Sequence, residues 1–198
     1  MVEILLNYIP KKAIILVDNL IHEHNINLKI VRERQTKHGD FRKLPNGKFQ
    51  ITVNNSLNKH QFLLTLIHEI AHHVTHQKYG RVKPHGIEWK TTFQYLMLPF
   101  LSSEIYPDTI LKPLAHYLRN PKASTGSDVN LTLALKGNIA ANGKSFIFDL
   151  SLGENFFYKD TLYKRGKKRR TRYECLHLDT NKMYLFNQNA EVKKIENE

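Results

Sequence analysis

The sequence holds one cysteine, Cys175, in 198 residues. A single thiol excludes an internal disulfide framework and a four-cysteine zinc ribbon, and it suits a reducing cytoplasm. Long apolar runs are also missing. The longest near the N-terminus, Ala13 to Val17, is too short for the apolar core of a secretory signal. Nothing approaches the ~20 apolar residues of a membrane span, so no membrane partner is expected. Acidic residues are scarce: 18 Asp and Glu stand against 30 Lys and Arg, giving a formal charge of +12 and a pI near 9.7. Such an excess points to a polyanionic partner, most simply nucleic acid. With 41% hydrophobic residues the chain can bury a sizeable core, and its length fits one medium domain with a small second one.

The apolar pattern predicts an α+β fold. Ile14, Leu16, Val17, Leu20 and Ile21 recur at helical spacing behind Pro10, so a helix is expected to His24. Ile26, Leu28 and Ile30 alternate, as do Phe49, Ile51 and Val53 after the turn signal Pro45-Asn46-Gly47. A small antiparallel sheet is therefore expected, with the edge near Phe49 to Val53 able to hold an extended peptide. Helical spacing returns from Asn58 to about Lys78, from Gly86 to Leu98 and from Asp108 to Arg119. The polar stretch 120–128 reads as the start of a linker, 121–144. Short aromatic and β-branched runs beyond it predict a small basic β domain over 145–198.

Five of the eleven histidines lie between His68 and His85. His68-Glu69-Ile70-Ala71-His72 matches H-E-x-x-H inside a predicted helix. Residues four apart are about 40° apart around a helix and about 6 Å along it, so both imidazoles can close on one ion. Glu69, about 100° round from His68, can reach a water at the metal without ligating it. His73 lies about 140° from His68 and faces away, while His76 is about 12 Å along the axis. The short-spaced metzincin pattern fails, because Thr75 and Lys78 stand where Gly and His are needed. A third ligand must return after a turn, which leaves His85, with Gly86 allowing close backbone approach and Trp89 one turn on. His73 and His76 read as solvated or supporting residues, and three imidazoles favour zinc.

These residues resemble a known family. "LIHEIAHH" followed by "PHGIEWKTTF" is similar to the two-part motif of the SprT-like family, which includes the Spartan proteases. Upstream, "RQTKHGDFRKLPNGKFQITVNNSL" resembles the family's strands ahead of its active helix. The likeness covers about Leu5 to Leu118. It implies a zincin-like metallopeptidase core over 1–120 and one Zn2+ held by His68, His72 and His85. It also implies Glu69 as general base, a protein substrate, and work in the repair of DNA–protein crosslinks. Several members carry a C-terminal zinc ribbon. This chain departs there, so its last domain is expected to be a degenerate ribbon-like fold or a small barrel.

One tract remains. "YKRGKKRRTRY" gathers Lys164, Arg165, Lys167, Lys168, Arg169, Arg170 and Arg172, flanked by Tyr163 and Tyr173. Cations neutralise phosphates and aromatics stack on unpaired bases, so nucleic-acid contact is expected here. The leading expectation is thus a zinc metallopeptidase acting on DNA-associated proteins. Two others stand beside it: a nucleic-acid-binding module with a purely structural metal, and a zinc hydrolase acting on something other than protein.

Overall fold

The computed structural model describes residues 2–34, 36–123, 126, 128–137 and 144–195. It divides into two compact units, 1–123 and 124–198. No helix among the described residues is long and apolar enough to cross a membrane.

The first unit opens with a short helix α1 (Val2–Leu5) and a 3-10 turn (Lys11–Ala13) that runs into α2 (Ile14–Glu23). Three strands follow, β1 (Leu28–Val31), β2 (Gly39–Lys43) and β3 (Phe49–Asn54), in the order β1-β3-β2. The expected antiparallel sheet is mixed. β2 pairs antiparallel with β3 through the turn around Gly47, whose φ of 80° needs glycine. β1 pairs parallel with β3. The turn signal fixed only the β2–β3 hairpin. The connection 32–38 carries the chain past the place β3 takes, which alternation cannot reveal. β3 is therefore central, not an edge, and the expectation of a free edge at Phe49 to Val53 is corrected: the edges are β1 and β2.

Burial on both faces of β3 explains its pattern. Ile51 and Val53 are 1% and 0% exposed, and the polar Thr52 and Asn54 are equally enclosed. Their polar groups are satisfied by the 32–38 connection. Arg34 Nε donates to Asn54 Oδ1 and Arg34 Nη1 to Thr52 Oγ1, both at 2.9 Å. Asn54 Nδ2 donates to the Arg34 and Lys37 carbonyls at 3.2 and 2.9 Å. The loop is thus pinned to the sheet just before β2 begins.

Helix α3 (Lys59–Tyr79) packs on this sheet. Asn58 caps its start by accepting from the Gln61 amide at 3.0 Å, and Gly80, at φ 69°, ends it. Phe62, Leu63, Leu66, Ile67 and Ile70 bury its apolar side. Helix α4 (Ile87–Met97) lies against α3 and ends in a 3-10 turn (Leu98–Phe100), after which α5 (Asp108–Leu118) closes the unit.

The second unit starts earlier than expected. The stretch 121–144, read as linker, contains α6 (Val129–Lys136), which the unit boundary groups with the β strands. Asp128 caps it by accepting from the Leu131 amide at 2.9 Å, and Leu131 and Leu135 are buried. Eight residues with only two such apolar anchors carry too weak a period to stand out in sequence. Then come β4 (Lys144–Phe146), β5 (Asn155–Tyr158), β6 (Thr161–Arg169), β7 (Arg172–His177), β8 (Met183–Asn187) and β9 (Glu191–Lys194). They form one sheet in the order β4-β9-β5-β6-β7-β8, with β4 and β8 at its edges. Every pairing is antiparallel. Ile147, Leu150, Phe156, Tyr163, Tyr173, Cys175 and Val192 make its core.

Candidate metal centre

Helical periodicity sets two of the three histidines. His68 and His72 project from one side of α3 with their Nε2 atoms 3.3 Å apart. The third ring comes from the turn after Gly80. There His85 takes a φ of 57°, a left-handed conformation uncommon for a side chain with a Cβ. The turn is closed by the Gly86 amide donating to the Lys83 carbonyl at 2.9 Å. A Cβ at Gly86 would sit 2.9 Å from that same carbonyl oxygen, so the position requires glycine. The outcome is that His85 Nε2 lies 3.0 Å from His72 Nε2 and 3.2 Å from His68 Nε2.

Three ring nitrogens at 3.0–3.3 Å cannot satisfy one another. Each is either a donor or an acceptor, so in any triangle at least two are of the same kind and repel. A cation at the centre removes the conflict. Tetrahedral zinc with bonds of 2.0–2.1 Å separates its nitrogen ligands by about 3.3–3.4 Å, close to the spacing found. His68, His72 and His85 form the only group of three or more metal-ligating side chains found together among the described residues. Burial, with the neighbouring imidazoles adding to it, lowers His68 to about 3 and His72 to about 4. Burial lowers His85 too. All three are therefore neutral near pH 7, the form that ligates metal.

An aromatic wall fixes these rings. Trp89, 1% exposed, packs its ring 4.6, 5.2 and 4.7 Å from those of His68, His72 and His85. Phe93 stacks behind Trp89 at 4.9 Å. The remaining histidines divide. Of the two alternatives, solvated or supporting, His73 is not the solvated one: it is 5% exposed, and its Nε2 contacts the His24 carbonyl at 3.0 Å. His76 reaches the cleft and sits edge-on to Phe49 at 4.9 Å.

Glu69 faces the sheet beside the cluster. Its carboxylate accepts from the Phe41 amide of β2, and it is 8% exposed. Burial pushes its carboxyl up to about 8, Asp40 adds to the rise, and the Arg34 guanidinium opposes it. The fit against β2 is tight. A Cβ on Gly39 would fall 2.6 Å from Glu69 Oε1, 2.7 Å from its Cγ and 2.8 Å from Thr65 Cγ2. Gly39, Phe41 and the Arg34–Asn54 bonds that hold their strand were missed from sequence. A glycine inside a strand was the available signal, since it often marks close approach. The cleft in front of the cluster measures about 450 Å3, and Gly39, Asp40, Phe41, Arg81 and Lys83 line it with the histidines.

The basic tract forms the β6–β7 hairpin, and the structure splits it. The β6–β7 register shifts between Arg165 and Lys168. Arg169 pairs with Glu174 at 2.6 Å. Arg165 is half-buried, while Lys164, Lys167, Lys168, Arg169, Arg170 and Arg172 are exposed.

The arrangement defines a class of site: three histidines, two on one helix and one on the turn before the next, placed so that they could hold a cation, with a buried carboxylate beside the first of them. Comparison with known proteins finds a match over a short stretch. Forty-five residues are 53% identical to Protein SprT of Vibrio atlanticus (strain LGP32), covering 21% of this chain and 27% of that protein. The match to Protein SprT of Vibrio parahaemolyticus serotype O3:K6 (strain RIMD 2210633) is 51% over 45 residues. The chain thus matches about a quarter of the length of these curated relatives. No family model matches the chain, and no solved structure does.

Proposed function

We propose that this chain is a zinc-dependent metallopeptidase of the SprT-like type, built on a zincin-like core and acting on proteins associated with DNA. The convergence of three Nε2 atoms within 3.3 Å, with Glu69 one residue after the first, carries the reading. The likeness to Protein SprT and the H-E-x-x-H spacing support it.

His68, His72 and His85 would hold the ion. Zinc bound there supplies Lewis acidity, acidifying water and polarising a carbonyl oxygen. A cation at the three imidazoles would favour the ionised form of Glu69, whose carboxylate would then take a proton from the attacking water and pass it to the departing amide nitrogen. Gly39 and the Phe41 amide fix where that carboxylate stands. The outer edge of β2 is available to an extended peptide by strand addition. Trp89 and Phe93 shield the ligands from water and lock their rings. A reducing cytoplasm suits the one buried thiol.

The test is Glu69→Gln measured for zinc content and for cleavage of an unstructured protein. Retained zinc with cleavage lost supports a peptidase. Unchanged behaviour would mean a structural metal. Wild-type protein that holds zinc but cleaves no polypeptide would move the reading to another hydrolase class.

A further inference from the structure

The cleft in front of the three imidazoles has committed acceptors and uncommitted donors. The Glu69 carboxylate receives the Phe41 amide, and Asp40 is paired with Lys37 at 2.8 Å. Arg81 and Lys83 also line the cleft. Both are exposed, and neither enters an ion pair among the described residues. Two further residues of the lining carry buried polar atoms with no hydrogen-bond partner among the described residues, Thr75 Oγ1 and Trp89 Nε1. An indole N–H can only donate, and a desolvated donor without an acceptor is costly.

The two cations are placed by the turn that presents His85. Lys83 stands two residues before it, and the Lys83 carbonyl accepts from the Gly86 amide at 2.9 Å. Arg81 follows Gly80, which ends α3 at φ 69°. The same cleft is lined by Gly39, Asp40 and Phe41 of β2, whose outer edge pairs with no strand among the described residues. A peptide added to that edge is extended, and alternate side chains share a face. Those on the cleft side meet Arg81 and Lys83.

We infer that the cleft selects protein segments carrying Asp or Glu beside the scissile bond, with Arg81 and Lys83 setting the preference. The inference deepens the proposed function and rests on the peptidase reading for its substrate class. A carboxylate supplies the acceptor that these side chains lack, and charge-assisted bonds to Arg and Lys are stronger than neutral ones. A peptide is favoured over a nucleic-acid backbone because a free strand edge offers N–H and C=O groups that another extended peptide complements.

Paired fluorescent peptides test it, identical except that Asp and Glu in one are Asn and Gln in the other. Binding is read by anisotropy on zinc-loaded Glu69→Gln and, in parallel, on metal-free wild type. At low salt the acidic peptide should bind roughly 3- to 30-fold tighter, as two exposed charge pairs act together. The gap should narrow at high salt. Adding Arg81→Gln/Lys83→Gln should bring the two peptides within about twofold of each other. Lys29→Gln/Lys78→Gln removes the same charge from exposed positions outside the cleft and should leave the gap in place. Circular dichroism and elemental analysis check fold and zinc in each variant, and Arg81→Gln alone serves if the double variant fails either. Equal affinity for the two peptides would overturn the inference, as would a gap that survives loss of Arg81 and Lys83. So would an oligothymidine that displaces the acidic peptide at lower concentration than unlabelled acidic peptide does, which would assign these cations to nucleic acid. Wild-type cleavage of the same pair should show the preference in KM and not in kcat. Cleavage of both peptides at equal KM keeps the peptidase and refutes the acidic preference. Selective binding without cleavage keeps the preference and refutes the peptidase.

Discussion

A single methyl group at Gly39 tests the proposed chemistry more sharply than deletion of a ligand. The backbone there is not in the left-handed region, so Gly39→Ala is opposed by space alone. The new carbon would lie 2.6 Å from Glu69 Oε1, and ordinary contact begins near 3.4 Å, so strand or carboxylate must yield by about 0.8 Å. The strand yields poorly. β2 is paired with β3 from Gly39 to Lys43, and the connection before it is tied by Arg34 and Asn54. Thr65 Cγ2, at 2.8 Å, blocks one direction of escape. The carboxylate therefore moves. Misplacement of a catalytic group by about 1 Å can cost about a hundredfold in rate, so kcat should fall by roughly 10- to 100-fold. Overpacking should cost about 1–3 kcal/mol of stability. The atoms nearest the new carbon belong to Glu69 and Thr65 and not to the imidazoles, so zinc content should stay at one per chain. The measurements are initial rates on an unstructured protein, a thermal melt and elemental analysis. A variant with the wild-type rate would refute the assignment of the proton-transfer role to Glu69 in this position.

Other parts of the molecule give further outcomes. Trp89 is the sole tryptophan and lies within 5.2 Å of all three imidazoles, so titrating metal-free protein with Co2+ should quench its fluorescence. His85→Ala should raise the midpoint at least a hundredfold, since loss of even an outer supporting group costs about 10–100-fold. His85 stands at φ 57°, so metal-free His85→Gly should be more stable than metal-free His85→Ala by about 1 kcal/mol, the reverse of the usual order, and equal melts would remove the strain argument. Burial lifts the Cys175 thiol to about 11 from an ordinary 9.0, so native protein at pH 8 should resist thiol reagents that label it in denaturant. Because the folded thiol is the weaker acid, stability of the second unit should decline as pH rises from about 9 to about 11.

What could be read in advance was periodic. The helix bearing His68, Glu69 and His72 follows from an apolar period and an Asn–Gly pair of caps, and the relative placement of the three residues follows from helix geometry. His85 was reached by excluding His73, which faces away, His76, which stands too far along the axis, and the metzincin spacing, which Thr75 and Lys78 break. The sheet was less legible. Alternation marks a strand and says nothing about its neighbours, so the parallel β1–β3 pairing and the central place of β3 were missed. Gly39 and Asn54 escaped for a related reason: their roles depend on contacts across the fold with Glu69 and Arg34. The basic tract was visible as composition, but the register shift in β6 and the Arg169–Glu174 pair were not.

The candidate centre joins two unlike halves. On α3, two ligands and the carboxylate are held by ordinary helical geometry, in a 21-residue helix whose apolar side is buried along most of its length. The third ligand stands on a turn that its own backbone opposes, at φ 57°, next to a glycine that must be glycine. Nothing in helix or sheet formation calls for that turn. Its conformation is retained because α4 begins at once and sets Trp89 against all three rings. Strain of this kind costs on the order of 1–3 kcal/mol and persists where surrounding structure over-determines it. A scaffold that only needed a stable helix pair would relax the turn. One that must bring a third imidazole within 3.3 Å of the other two has a reason to keep it.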